Sequence, residues 1–327
     1  MTQTRTPTFF LEALHQEIQQ TEYGHRPDEL YDPIRYIMNI GGKRMRPLLT
    51  LMATYLFTDD WQKALKPAIA VEVFHNFTLM HDDIMDQAPL RRGQPTVHEK
   101  WNNNIAILSG DVMLVNAYQL LLNVDTPQIK QVLARFSRTA AEVCEGQQLD
   151  MNFETRWDVT EEQYIDMIRL KTSVLLGLAL ELGGLIADAD STATDLLYEA
   201  GVNIGLGFQL NDDLLDVYGD PAKFGKQVGG DIIANKKTFL LITALQLATG
   251  SVKEELTDWI GRETFDKGEK IEAVTAIYDQ LGVRQLTEQR INDYYTRGFA
   301  SFEQLAVDPV RKALLLEFTE QLIGRES

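Results

Sequence analysis

The chain has 327 residues and 44% of them are apolar, enough to bury a large core. Its 31 basic and 48 acidic side chains leave a formal net charge of −17, a field that repels nucleic acid and anionic membrane, so neither is expected as a partner. Cys144 is the only cysteine, which excludes an intrachain disulfide and fits a reducing, cytoplasmic setting.

The first residues lack the charged-then-apolar run of a secretory signal. Phe10, Leu14 and Ile18 then recur every four residues and predict a helix. IGGKRMRP (40–47) offers Lys43, Arg44 and Arg46 after two flexible glycines. Ile69, Val73, Phe77, Met80 and Ile84 form a second helical stripe, which ends in HDDIMD with Asp82, Asp83 and Asp86. The stretch 87–97 (QAPLRRGQPTV) reads as a loop and carries Arg91 and Arg92. Thr160 opens a further helix, with Gln163 three residues on as a capping box. RLKTS follows with Lys171 and Thr172. The longest apolar stretch is read as 174–187; it is short and contains Glu181, whereas a spanning helix needs about 20 apolar residues, so no transmembrane segment is expected. GFQLNDDLLDVYGD (207–220) adds Gln209, Asp212, Asp213 and Asp216, and loops are expected at 219–230 and 248–251. Lys226 and Lys236 come next. Period-two runs, internal repeats and linkers are not evident. The expectation is one all-α domain over residues 1–327.

Residues four apart share a helix face, so Asp82 and Asp86 point the same way and Asp83 lies about 100° round the wheel. Like charges so placed destabilise a helix by a few tenths of a kcal/mol per pair, roughly 0.2–0.5. A solvated acidic helix end is the plain reading of one such cluster. A second D-D-x-x-D about 130 residues later, with Gln209 on the face of Asp212 and Asp216, points instead to two carboxylate sets that face each other across a cavity and hold hard divalent cations. Calcium-binding hands have another spacing, while magnesium takes one or two carboxylates and completes its octahedron with water and phosphate oxygen. A phosphate-bearing ligand is therefore expected, and Lys43, Arg44, Arg46, Arg91, Arg92, Lys171, Lys226 and Lys236 flank the two clusters as its counter-charges. Each alone would be a surface charge.

With these residues in this order, the chain resembles a trans-isoprenyl diphosphate synthase of the polyprenyl synthetase family. The resemblance implies an all-α bundle around a deep central cavity, acting as a homodimer. It implies three magnesium ions, with Asp82, Asp86 and Asp212 as direct ligands and Asp83, Asp213 and Asp216 supporting them. Arg91, Lys171, Lys226 and Lys236 are implied contacts of an allylic diphosphate (dimethylallyl, geranyl or farnesyl). Lys43, Arg46, His75 and Arg92 are implied to form a metal-free site for isopentenyl diphosphate. A histidine such as His75 is, taken alone, more simply a hydrogen-bonded core residue.

The implied reaction ionises the allylic substrate, and the double bond of isopentenyl diphosphate attacks the cation. Released diphosphate is the base. Thr172 and Gln209 are expected to direct oxygen dipoles at the cation. No serine or cysteine triad is found. A class I terpene cyclase makes the same kind of cation, but its second motif mixes Asn, Ser or Thr with Glu, and Lys43, Arg46 and Arg92 would have no task in it. A regulatory subunit would have one motif degraded. For product length, Thr78 is small and near the aspartate face, whereas Phe77 and Phe74 are bulky and deeper. An aromatic residue five before an uninterrupted first motif resembles geranylgeranyl synthases, with farnesyl as the alternative product. Phe77 lies about 140° from Asp82 on the wheel, so Phe74 and Phe77 are also readable as interhelical packing.

Overall fold

The computed structural model describes residues 5–220 and 228–324. Their long elements are all helices, as the periodicity predicts. The first four are α1 (Pro7–Gln20), α2 (Asp28–Asn39), α3 (Met45–Phe57) and α4 (Leu65–Met85). A short α5 (Val97–Lys100) precedes α6 (Asn103–Leu122) and α7 (Ile129–Glu154). Next, α8 (Glu161–Ile168) continues through a π-helical turn, Arg169–Ser173, into α9 (Val174–Ile186), and α10 (Ser191–Tyr218) follows. The remainder is α11 (Gly230–Ile233), α12 (Phe239–Leu247), α13 (Gly250–Gly261), α14 (Lys267–Gln280), α15 (Val283–Glu303) and α16 (Pro309–Gly324).

Two compact units are formed, each discontinuous in sequence. Unit 1 takes residues up to 138, then 178–198 and 305–319. Unit 2 takes 139–177, 199–304 and the residues from 320 on.

In unit 1, Phe10, Leu14 and Ile18 are all buried, and the Phe10 ring meets Trp61 edge-on at 5.0 Å. Helix α4 packs on α3 and α6 and buries Ile69, Val73, Phe77 and Met80, while Ile84 is half-buried. Close approach of α6 to α4 requires Gly110, where a Cβ would collide with the His81 ring. Buried polar groups of α6 find partners nearby: Ser109 donates to Leu30 O and Asn116 to Tyr23 O. Glu181, the charge inside the apolar stretch, is buried and accepts from Arg135 Nε at 2.6 Å. The stretch 87–97 is not wholly loop: Leu90–Arg91 pairs antiparallel with Gln94–Pro95 around Arg92 (φ 52°) and Gly93 (φ 74°). Two consecutive left-handed residues make the tight hairpin turn that period-two reading does not detect in so short a ribbon.

In unit 2, both bonds of the capping box form, Gln163 N to Thr160 Oγ1 and Thr160 N to Gln163 Oε1, each 3.2 Å. Helix α12 packs on α8 and α15, and α14 packs on α11, α13 and α15. The loop expected at 248–251 shrinks to Ala248 and Thr249, because α13 starts at Gly250 behind an extended Thr249. The loop expected at 219–230 lies mostly outside the described residues, and Lys226 with it.

Among the described residues, α6 is the one helix long and apolar enough to cross a membrane, and 39% of its most apolar window is buried in the protein. Ser109, Gly110, Asp111 and Asn116 interrupt its apolar run.

Candidate active site

In unit 1 the segment 40–46 is shaped by positive φ at Gly41 (95°), Gly42 (133°) and Arg44 (48°). Gly42 is needed for space as well, since a Cβ there would collide with the Arg92 guanidinium, which donates to Gly41 O. Arg46 Nη1 lies 3.2 Å from His75 Nε2. Three of the four residues expected to form one site, Arg46, His75 and Arg92, are thus brought together, and Lys43 is exposed beside them. Arg44 turns the other way. It is buried and donates to Glu72 on α4 and to Met38 O, so this cation holds the loop rather than facing a ligand.

The field at His75 is strongly positive. Burial, then Arg46, Arg92, Arg91 and Arg44, push its pKa well below the ordinary histidine value and keep the ring neutral. Arg46 donates to the ring, which fixes Nε2 as acceptor and Nδ1 as the protonated nitrogen. Burial also lowers the Arg46 pKa, against the pull of Glu72, and its buried Nε has no hydrogen-bond partner inside the protein.

The first acidic cluster divides by environment. Asp83 is buried and clasped by Arg91, with Nε at 2.9 Å from each carboxylate oxygen and Nη2 at 2.7 Å from Oδ1. Burial raises the Asp83 pKa and the Arg91 bonds offset part of that. Asp82 is half-buried, 3.9 Å from Arg91, and Asp86, just past the end of α4, is exposed. Phe77 lies against Phe74 (5.6 Å between centroids) and His81 (4.8 Å), and Phe74 against Phe136 (5.3 Å). Thr78 is half-buried and donates to His75 O.

In unit 2 the π turn carries Lys171 and Thr172. Such turns are rare and gather at functional sites. Here the backbone of α7 crosses it at Gly146, where a Cβ would strike the Lys171 backbone nitrogen. Lys171 Nζ meets Asp150 at 2.6 Å. Thr172 donates to Gln209 Oε1 (3.1 Å), Gln209 Nε2 donates to Asp213 Oδ1 (3.1 Å), and Tyr164 donates to Asp213 Oδ2. Gln209 therefore serves Asp213, one turn on, rather than Asp212 or Asp216; positions four apart stack more directly than the wheel reading allowed. Burial pushes Asp213 up to about 6, with Lys236, Tyr164 and Gln209 opposing. Asp216 accepts from the Asp231 backbone N–H at 2.8 Å. Asp231 is lifted to about 7, first by burial and then by the neighbouring aspartates, against Lys236 at 3.8 Å. Burial disfavours the charge on Lys236, but Asp231, Asp213, Asp150 and Asp212 outweigh it and raise its pKa.

Glu72, Asp150, Tyr164 and Asp231 were not anticipated from sequence. Asp231 stands in GGDIIANKK, where an acid five residues before Lys236 was a usable signal. The other three meet partners 21 to 49 residues away on other elements, and no local spacing announces them.

The pattern shared by polyprenyl synthetases matches residues 27–278. The chain is 38% identical over 310 residues to a geranylgeranyl diphosphate synthase of Methanosarcina mazei, covering 92% of this chain and 91% of that one. A geranylfarnesyl diphosphate synthase of Natronomonas pharaonis is 33% identical over 319 residues, with 92% and 91% covered. A crystal structure of a geranylgeranyl pyrophosphate synthase superposes with a TM-score of 0.93 at 45% identity, covering 99% of this chain and all of that one. With two intact aspartate clusters, their basic flanks and relatives matched along nearly the whole length, the chain belongs to the polyprenyl synthetase family.

Proposed function

We infer that the protein is a trans-prenyltransferase that joins isopentenyl diphosphate to an allylic diphosphate, with geranylgeranyl diphosphate as its main product. The observation that carries this reading is the cation group of unit 1. Arg46, with its unpartnered Nε, neutral His75 and Arg92 offer donors to an anionic ligand. Lys43, Arg46, His75 and Arg92 are assigned to the diphosphate of isopentenyl diphosphate. Arg91, Lys171, Lys226 and Lys236 are assigned to the allylic diphosphate.

The acidic clusters fit magnesium by their chemistry. Their donors are hard carboxylate oxygens, and Asp83, Asp213 and Asp216 already accept hydrogen bonds from Arg91, from Tyr164 and Gln209, and from the Asp231 amide. Among the described residues no three acidic, histidine or cysteine side chains converge on one point. An ion bound here completes its shell with water and substrate oxygen, which is the habit of magnesium. Asp82, Asp86 and Asp212 are the ligands in this reading, for three ions in all. Magnesium, when bound, supplies positive charge to the leaving diphosphate. Arginine and lysine side chains hold that diphosphate in place as the carbon–oxygen bond breaks. Thr172 donates its hydroxyl hydrogen bond to Gln209 Oε1, which leaves the Oγ1 lone pairs for the allylic cation. Isopentenyl diphosphate attacks through its double bond and loses a proton to the released diphosphate.

Phe74 and Phe77, backed by Phe136, are the bulk that favours a product no longer than geranylgeranyl. The similarity to a geranylfarnesyl synthase supports one longer product as a second reading. The family match spans residues of both units, in keeping with one catalytic domain over 1–327. A homodimer completes the reading, since Leu108, Val115 and Leu122 stand exposed at seven-residue intervals on α6 and need cover, and the lone Cys144 fits a cytoplasmic setting.

The test is to incubate pure protein with magnesium, isopentenyl diphosphate and each allylic primer, then chromatograph the dephosphorylated products. Twenty-carbon alcohol is expected as the main species. A cyclic hydrocarbon, or no product from any primer, overturns the reading.

A further inference from the structure

Lys270 on α14 is 1% exposed, and it stands among the largest fully buried side chains. The partners of its ammonium are neutral. Asn235 Oδ1 accepts at 2.7 Å, Ile233 O at 3.4 Å, and the Phe265 ring centroid lies 4.1 Å away. An ammonium buried among neutral groups is costly to desolvate, so its position is explained by what it holds.

It holds a turn. Ile233 is the last residue of α11, and its carbonyl is one of the acceptors a helix end leaves over. Asn235 sits in the left-handed region (φ 51°), a strained conformation that asparagine tolerates when its side chain is fixed. Its amide is fixed at both ends, because Nδ2 also donates to Ile260 O at 3.1 Å. The next residue is Lys236, whose backbone N–H closes the turn on Asp231 O at 2.9 Å. The far side is tied to α10, where Asp216 accepts from the Asp231 N–H. Gly229 adds close packing, since a Cβ there would meet Ile271, the neighbour of Lys270. The residues 229–236 are therefore strapped between Asp216 and Lys270, and Lys236 leaves the strap with its backbone direction set.

We propose that Lys270 is a positioning residue: acting through Asn235, it sets the turn that presents Lys236 to the allylic diphosphate. The proposal rests on the assignment of Lys236 to that diphosphate. Lys270 itself lies too deep to touch a substrate.

The experiment measures KM for each substrate and kcat in Lys270→Met, Asn235→Ala, the double variant and Lys236→Ala. Losing one charge-assisted hydrogen bond should raise the KM for the allylic substrate about tenfold in Lys270→Met and in Asn235→Ala. The KM for isopentenyl diphosphate should stay unchanged. The double variant should be no worse than the poorer single one, because both break the same link. Equal rises for both substrates, additive effects, or lost folding with wild-type KM in the folded fraction overturn the proposal. Asn235→Ala reads the same link if Lys270→Met fails to fold. If Lys236→Ala leaves the allylic KM unchanged, the assignment of Lys236 fails; if it raises that KM while Lys270→Met and Asn235→Ala do not, only the positioning role fails.

Discussion

Asp83 and Asp213 hold the same place in their clusters, second of the three, and each is buried against a hydrogen-bond donor outside the cluster. Their neighbours Asp82 and Asp212 are half-buried. The two kinds of aspartate should respond differently to truncation. Asp82→Ala and Asp212→Ala are expected to lower kcat by a factor of about 10³ or more with the melting temperature nearly unchanged. Asp213→Ala should also destabilise the fold, by about 1–3 kcal/mol, because the buried Tyr164 hydroxyl loses its acceptor. Denaturant titration beside steady-state kinetics separates the two outcomes. His75 makes a second case. Its pKa is depressed in the folded protein, so below about pH 6.5 the unfolded chain binds the extra proton and stability falls as pH falls, by up to about 1.4 kcal/mol per pH unit. His75→Gln should flatten the loss of stability between pH 7 and 5.5; an unchanged slope would mean that the ring is charged in the folded state. For product length, Phe77→Ala is expected to lengthen the chain and Thr78→Phe to shorten it. The parent length from both variants would relocate the floor.

The helices carry these side chains with different tolerance. At the π turn, Gly146 of α7 leaves no room between the two backbones. Gly146→Ala is expected to cost about 1–3 kcal/mol and to lower kcat with it, since the atom it strikes is the Lys171 nitrogen and not a movable side-chain tip. Denaturation and turnover measured together check this; full activity with only a stability loss would show that Lys171 absorbs the shift. What could be read from the sequence follows the same division. Phe10, Leu14 and Ile18, the α4 stripe and the capping box at Thr160 are local patterns, and all took the expected form. So did the contrast between Asp83 and Asp82, one a hundred degrees round the helix from the other. The π turn has no spacing signature, because an extra residue in one helical turn depends on what crosses it. Arg44 shows the other limit: three basic residues stood together in GGKRMR, and only tertiary contact with Glu72 tells which one is structural.

The chain as a whole carries −17 charges, yet Arg44, Arg46, Arg91 and Arg92 gather around one histidine. Concentrating cations in one place is how a strongly acidic protein would receive the anion proposed for this site, with Arg44 held back by Glu72. One uncovered apolar part of the surface is a face of α6, with Leu108, Val115 and Leu122 each more than half exposed. If a second copy covers it, light scattering of the native protein should give twice the chain mass, and Leu108→Asp with Val115→Asp should give a single chain mass. A native monomer, or a doubly substituted dimer, would move the interface elsewhere.

The π turn at Arg169–Ser173 has a consequence for insertions and deletions. It interrupts an otherwise continuous helical run from Glu161 to Ile186 with one residue more than α geometry needs. Removing a single residue there would let the run close as uninterrupted α-helix with its backbone hydrogen bonds intact; both flanks would keep their faces, because the wide turn is what absorbs the extra residue, and the side chains within the turn would be re-aimed. Such a deletion mutant should keep its circular dichroism while Thr172 swings away from Gln209 and Lys171 from Asp150. Alignments that absorb a gap in this run as harmless would therefore misplace Lys171 and Thr172, although the helix around them looks unbroken.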